Sequence, residues 1–335
     1  MADRPAALFA MRSRHLPEFF PPEVMGRLRR LVSVDPDIVA ERFDNSRVLE
    51  ALASVEILIT GWGCPPLDQA VLAAAPRLRA VVHAAGTVKS HVTAACWDRG
   101  LVVSSAAAVN AVPVAEYTLA AILFAGKGVF AVRERYRGDR GFVLGSIVPG
   151  VGNFRRRVGI VGASRIGRRV IGLLRHFDLD VHLADPYVDS TDAAALGAHL
   201  MSLEEVLRTC DIVSLHAPSN PQTRHMLGAA QLALMPDGAV LINTARGDLV
   251  DTPALTAEAS SGRLSAVLDV TDPEPLPAGS PLFDLPNVFL TPHVAGSHGN
   301  EVERMGRSAV DEVERLLAGR TLAYQVHQHE IVRIA

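Results

Sequence analysis

Short apolar runs, each followed by a turn and then by residues at helical spacing, recur along most of this chain. Ala7-Leu8-Phe9, Val55-Glu56-Ile57-Leu58-Ile59, Leu78-Arg79-Ala80-Val81-Val82 and Leu101-Val102-Val103 read as strands, with amphipathic stretches such as Pro66 to Ala75 between them. Strand and helix patterns in alternation predict a small parallel sheet covered by helices. Val114 to Ala125 is apolar on most faces, which predicts a helix buried between domains or between subunits. Gly138 to Gly152 is rich in Gly, Arg and Pro and reads as a loop. A second βα series runs from Val158 to about Pro292, with strands at Val158-Gly159-Ile160-Val161, Val181 to Ala184, Ile212 to Leu215, Ala239 to Ile242, Ala266 to Leu268 and Val288 to Leu290. Asn300 to Leu317 is amphipathic, with Arg and Glu on the wet face, and Gly319 stands as its C-cap.

At 335 residues the chain suits two domains, each with its own core. Its 49 % hydrophobic and 21 % charged residues are ordinary for a soluble globular protein. A net charge of −3, with the arginines scattered among acids, gives no basic field for nucleic acid. Cys64, Cys96 and Cys210 are odd in number and lack metal-ligand spacing, so free buried thiols and no metal are expected. No apolar core follows the charges at Met1 to Pro5, so no signal peptide is visible. The longest apolar stretch, Leu119 to Ala125, is too short to span a bilayer. The expectation is a cytoplasmic protein with no membrane partner.

Three runs of the second series end near residues with chemistry: Arg246 after Ala239 to Ile242, Glu274 after Ala266 to Leu268, and His293 after Val288 to Leu290. Ligands of open parallel sheets bind outside the carboxyl ends of the strands. A guanidinium grips a carboxylate with two parallel hydrogen bonds, and an imidazole exchanges a proton near neutral pH when a carboxylate orients it. Each residue also has a plainer reading: an exposed Arg at a strand exit, a solvated acid in a Pro-rich loop, a structural loop His. Upstream, Val158 to Gly167 reads as a strand turning into a helix around a phosphate. Against the G-x-G-x-x-G fingerprint, Gly162 and Gly167 match, Ser164 replaces the middle glycine, and Asp185 is the acid about twenty residues on. A plain βα turn would need only the glycines. Asp185 suits ribose hydroxyls and opposes a 2′-phosphate, which favours NAD over NADP. A dinucleotide site with an acid–base–anion trio points to hydride transfer on a small carboxylate substrate.

Five ordered stretches, Gly162-Ala163-Ser164-Arg165-Ile166-Gly167, Asp185-Pro186-Tyr187, Leu241 to Gly247, Leu268 to Leu276 and Thr291-Pro292-His293-Val294-Ala295-Gly296, resemble the D-isomer-specific 2-hydroxyacid dehydrogenases. The group with phosphoglycerate dehydrogenase and glyoxylate/hydroxypyruvate reductase is the most similar, and the likeness is dense from about residue 76 to 320. The resemblance implies an α/β protein: a Rossmann-type nucleotide-binding domain over residues 105–296, and a smaller flavodoxin-like α/β substrate domain from residues 1–104 and 297–335. It implies NAD as cofactor, a small 2-keto or 2-hydroxy acid as substrate, and a homodimer held by the middle domain and the helix after Val114. Arg246 would anchor the substrate, Glu274 would partner His293, and His293 would be the acid–base residue. Gly162, Ser164, Arg165, Ile166 and Gly167 would meet the pyrophosphate and Asp185 the ribose. Ala217 and Pro218 would lie along the adenosine half, with Thr244, Ala245 and Asp269 beside the nicotinamide.

Ala85-Gly86-Thr87 resembles the family loop whose N–H groups cradle the substrate carboxylate. Its continuation departs from the family's Gly-x-Asp-Asn: Val88 narrows the loop and reshapes the pocket, while Ser90 caps the next helix as Asp would. Two rivals share the fold. Formate oxidisers carry Gln where Glu274 stands; phosphite oxidation lacks its expected loop lysine here. A corepressor-like NADH sensor is the reading outside enzymology.

Overall fold

In the computed structural model, which describes residues 4–141 and 151–331, the strands gather into two sheets, one in each of two compact units. The first unit comprises residues 1–110 with 297–334, the second residues 111–296.

In the first unit, β1 (Ala7–Ala10), β2 (Ile57–Thr60), β3 (Ala80–His83) and β4 (Val102–Ser105) lie side by side in parallel. Strand β12 (Gln325–Val326) adds an antiparallel edge beside β4, too short and polar to be read from the sequence. Side chains of a strand alternate between faces. Leu58, Val81 and Val103 meet Leu52, Leu67, Leu72 and Cys96 on one face. Ile57, Ile59 and Val82 meet Phe19, Leu28, Met305 and Val310 on the other, which brings helix Val302–Leu317 onto this sheet. Burial on both faces explains why these strands read as unbroken apolar runs.

The second unit holds β5 (Arg156–Val161), β6 (Leu179–Ala184), β7 (His199–Leu200), β8 (Ile212–Leu215), β9 (Val240–Asn243), β10 (Ser265–Leu268) and β11 (Val288–Leu290). All pair in parallel, in the order β11-β10-β9-β8-β5-β6-β7. The winding reverses between β5 and β8, the switch point at which such sheets open a ligand crevice. Val158, Ile160, Val240 and Ile242 bury on one face, Val161, Val213, Leu215 and Leu241 on the other. This is the doubly wound α/β architecture expected, although the two-residue β7 carried no pattern of its own.

Helix Ala107–Gly126 begins in the first unit and continues into the second, and is called here the connecting helix. It starts seven residues before the apolar run that signalled it and holds Pro113 inside it. Its length and composition would also suit a membrane span, a test that the core helix of a soluble protein passes equally. Its Ala115, Ala121, Ile122 and Ala125 pack against Val158, Ile160 and Ile171. A further helix, Val129–Asp139, takes in Gly138, so the expected loop begins later; residues 142–150 of that loop lie outside the described residues.

Candidate active site

The turn after β5 is shaped by two glycines. Gly162 has φ +101°, and a Cβ there would lie 2.7 Å from Ala217 N, while a Cβ on Gly167 would lie 2.0 Å from Gly162 O. No larger residue fits either position without moving backbone. Ser164 explains its own departure from the fingerprint. Its backbone is extended (φ −64°), and its Oγ accepts the Gly167 N–H at 3.3 Å as the N-cap of helix Arg165–Leu174. The first N–H groups of that helix, on Arg165 and Ile166, have no partner within it and suit an anion. Asp185 stands at the end of β6, where Oδ2 accepts Ala163 N–H (2.6 Å) and Oδ1 accepts Tyr187 N–H (2.8 Å). His216 precedes Ala217 and is buried against Ser214 Oγ (3.0 Å); burial pushes its imidazole down to about 3, so it stays neutral. A cradle without Cβ atoms, a capped helix start and an acid at the next strand end together fit a dinucleotide.

Arg246 leaves β9 through a turn that Asn243 clamps from inside. Asn243 Nδ2 donates to Arg246 O (2.8 Å), and its Oδ1 accepts Ala245 N–H (3.1 Å). The sequence motif contained Asn243 but gave it no role; a polar side chain at the end of an apolar strand was the available signal. The guanidinium donates to Ala245 O at 2.6 Å. Burial pushes its pKa down, and the nearby carboxylates of Glu274 and Asp248 push back, so a cation faces two acids here.

His293 Nδ1 lies 2.6 Å from Glu274 Oε1, while Asp272 turns instead toward His225 (3.4 Å) and Arg224 (3.8 Å). The His293 and Glu274 side chains are 50 % and 45 % exposed, so their pairing adds at most about 1 kcal/mol to stability. Its consequence is orientation: a carboxylate on Nδ1 leaves Nε2 as the free face of the ring. Asp269, read from the resemblance as a nicotinamide neighbour, has its carboxylate on the His293 loop. Oδ1 accepts Thr291 Oγ1–H (2.7 Å) and Val294 N–H (2.8 Å), and Oδ2 accepts Ala295 N–H (2.9 Å). Thr291, a hydroxyl ahead of Pro-His, was in the motif without a role. In the second unit the structure thus brings Arg246, Glu274 and His293 together from three strand ends.

In the first unit, Ser105 Oγ donates to Gly86 O (2.5 Å) and fixes the Ala85-Gly86-Thr87 loop after β3, and Lys89 N donates to Thr87 Oγ1 (3.3 Å). Val88 is fully buried in the core, and one expectation about this loop is corrected. Ser90 lies in a turn, and the following helix, Ala94–Asp98, has Thr93 as its N-cap. Trp62 packs on Phe19 (4.8 Å) and His15 (5.2 Å).

Just before the loop, Thr60 Oγ1 bridges two buried imidazoles, His83 Nδ1 (2.8 Å) and His91 Nε2 (3.3 Å). Burial pushes His83 well below 6.5 and His91 down to about 4. The folded protein therefore binds fewer protons than the unfolded chain at mildly acidic pH. The stability these groups confer is complete above about 6.5 and is lost as pH falls toward about 4, by of order 2–3 kcal/mol for His91. Urea unfolding at pH 7 and pH 5 will show this loss, and His91→Gln will flatten it; equal slopes in the two proteins would exclude His91 as the cause.

Comparison with known proteins shows what the chain as a whole is similar to. Residues 119–295 match the family described as D-isomer specific 2-hydroxyacid dehydrogenase, NAD binding domain. The D-3-phosphoglycerate dehydrogenase of Mycobacterium leprae is 34 % identical over 277 residues, covering 82 % of this chain and 52 % of that protein. The chain thus spans about half the length of the phosphoglycerate dehydrogenases it matches. The (S)-sulfolactate dehydrogenase of Chromohalobacter salexigens is 34 % identical over 282 residues, covering 83 % of this chain and 89 % of its own. Among solved structures, the TT0316 protein from Thermus thermophilus superposes with a TM-score of 0.77 at 31 % identity, over 96 % of this chain and 99 % of that one.

Proposed function

Because the chain belongs to the D-isomer specific 2-hydroxyacid dehydrogenase family and carries its NAD-binding domain, we propose that it interconverts a 2-keto acid and a D-2-hydroxy acid. One observation carries this reading: Glu274 is hydrogen-bonded to His293 and also lies near enough to Arg246 to favour its charge. Proton donor and anion anchor therefore share one carboxylate. NAD(H), when bound, supplies or accepts the hydride. His293 gives a proton from Nε2 to the carbonyl oxygen in reduction and takes it back in oxidation, and Glu274 steadies the charged ring. Arg246 holds the substrate carboxylate and polarises the carbonyl. Gly162, Ser164, Arg165, Ile166 and Gly167 would hold the pyrophosphate, Asp185 the ribose and Ala217 and Pro218 the adenosine side, and Thr244, Ala245 and Asp269 would border the nicotinamide. The carboxylate on His293 speaks against formate oxidation.

The test is a screen by NADH absorbance: glyoxylate, hydroxypyruvate and bulkier 2-keto acids for reduction, 3-phosphoglycerate and sulfolactate for oxidation. No turnover of any of them would remove the reading and leave the NADH-sensor alternative. Asp185 gives a second expectation. Its charge opposes a 2′-phosphate, so kcat/KM with NADH exceeds that with NADPH by roughly 10- to 100-fold; equal efficiencies would refute its assignment to the ribose.

We further propose a homodimer. Phe124, Phe130 and Phe289 form an aromatic chain on the second unit, with ring centroids 6.1 and 4.6 Å apart, and Phe124 is 51 % exposed. Phe289 is 37 % exposed and Phe130, between them, is partly buried, and an aromatic patch of this kind suits a protein interface. Sedimentation giving a monomer at micromolar concentration would count against it.

A further inference from the structure

Successive residues of the connecting helix reach two different loops of the site. Tyr117 Oη lies 2.7 Å from Thr291 Oγ1, and Thr291 Oγ1 lies 2.7 Å from Asp269 Oδ1. Asp269 also receives the N–H groups of Val294 and Ala295, and its carbonyl receives that of His293 (2.9 Å). A carboxylate only accepts, so the single Thr291 proton points at Asp269 and Tyr117 must donate to Thr291. The chain of donors thus runs from Tyr117 through Thr291 to Asp269, which grips the backbone at His293 and at the two residues after it.

The neighbouring residue does the same for the other loop. Thr118 Oγ1 donates to Val114 O at 2.8 Å, which uses its only proton. At 2.8 Å from it, Thr244 Oγ1 is therefore the donor to Thr118. Thr244 stands two residues before Arg246, inside the turn that Asn243 clamps. Both hydroxyls are buried, at 0 % and 6 % exposure, so an unmatched donor at Thr244 could not turn to water.

The His293 loop needs such support. His293 has φ +56°, a left-handed conformation that residues with a Cβ rarely adopt, so its geometry must be held by its surroundings. We propose that Tyr117 and Thr118 are positioning residues: one turn of the connecting helix sets the His293 loop through Thr291 and Asp269, and the Arg246 turn through Thr244. This rests on the functions given above to His293 and Arg246. It predicts that the two attachments act on different kinetic constants. Loosening the proton donor lowers kcat, and loosening the carboxylate anchor raises KM.

The experiment pairs hydrogen exchange with kinetics on the intact protein. Tyr117→Phe keeps the ring and removes the hydroxyl; Thr118→Val keeps the shape and removes the acceptor. Tyr117→Phe is expected to speed amide exchange at Val294 and Ala295, and to lower kcat, by roughly two- to tenfold with KM little changed. Thr118→Val is expected to speed exchange at Ala245 and raise KM for the 2-keto acid by a similar factor. Thr291→Ser should retain native behaviour, and adding Tyr117→Phe to Thr291→Val should change nothing further. Native exchange in both helix variants would overturn the proposal. Faster exchange with native kcat and KM would overturn the positioning claim while leaving the proposed reaction intact. If no 2-keto acid is turned over by the native protein, the functional reading fails separately, and the exchange rates alone decide whether the helix holds the loops.

Discussion

His293→Ala lowers kcat by roughly 10²- to 10⁴-fold while leaving the Kd for NADH unchanged, the loss expected when a general acid–base group is removed. The two halves of this outcome come from different parts of the second unit. The imidazole hangs beyond β11, whereas the anion cradle is the β5 turn with its capped helix. The fold should survive as well. The side chain is half exposed, and its one ion pair, to Glu274, is exposed on both sides, so little stability depends on it. Stopped-flow hydride transfer and NADH fluorescence titration make the measurement. A variant with near-native turnover would remove His293 from the chemistry; one that no longer binds NADH would show that the loop also shapes the cofactor site.

Arg246→Lys is expected to cost roughly 10- to 100-fold in kcat/KM for a 2-keto acid, despite conserving the charge. Guanidinium has a planar fork that meets both oxygens of a carboxylate, while ammonium is a point charge on a flexible stem. The site gives reason to expect this geometry to count. Arg246 is largely buried, and the turn that carries it is locked on both sides by the Asn243 amide. A substrate without a carboxylate leaves those donors unmatched, so a comparable neutral aldehyde should lose about 10⁴-fold in kcat/KM. Efficient reduction of the aldehyde with 2-keto acids inert would overturn the reading of Arg246.

Most β strands of both sheets were legible because burial on two faces makes them continuous apolar runs, as at Ile57 to Ile59 and Leu241-Ile242. What stayed hidden has physical causes of three kinds. Strands β7 and β12 are two residues long and edge-placed, so no periodicity develops. The connecting helix outran its signal because the residues before Val114, Ala107 to Pro113, mix small, polar and Pro positions. The third kind concerns side chains whose partners are distant in sequence. Glu274 and His293 could be named from their motifs, but the bonds of Asp269 to Val294 and Ala295, and of Tyr117 to Thr291, span 25, 26 and 174 residues. Ser164 shows the converse. A mismatch to the glycine fingerprint proved locally interpretable, since a hydroxyl three residues before Gly167 is placed to cap.

Helix Val302–Leu317 covers a face of the sheet whose strands, apart from the short edge β12, all lie before residue 106. On the ribosome, then, Ile57, Ile59, Val82, Phe19 and Leu28 emerge long before the residues that shield them. The entire second unit, residues 111–296, is synthesised in between. That unit has its own continuous stretch of chain and can complete its core during translation, whereas the first waits for closure between its two ends. Once the chain up to residue 296 has left the ribosome, it presents one unit able to finish its core and one open apolar face, the state in which a chaperone has most to hold.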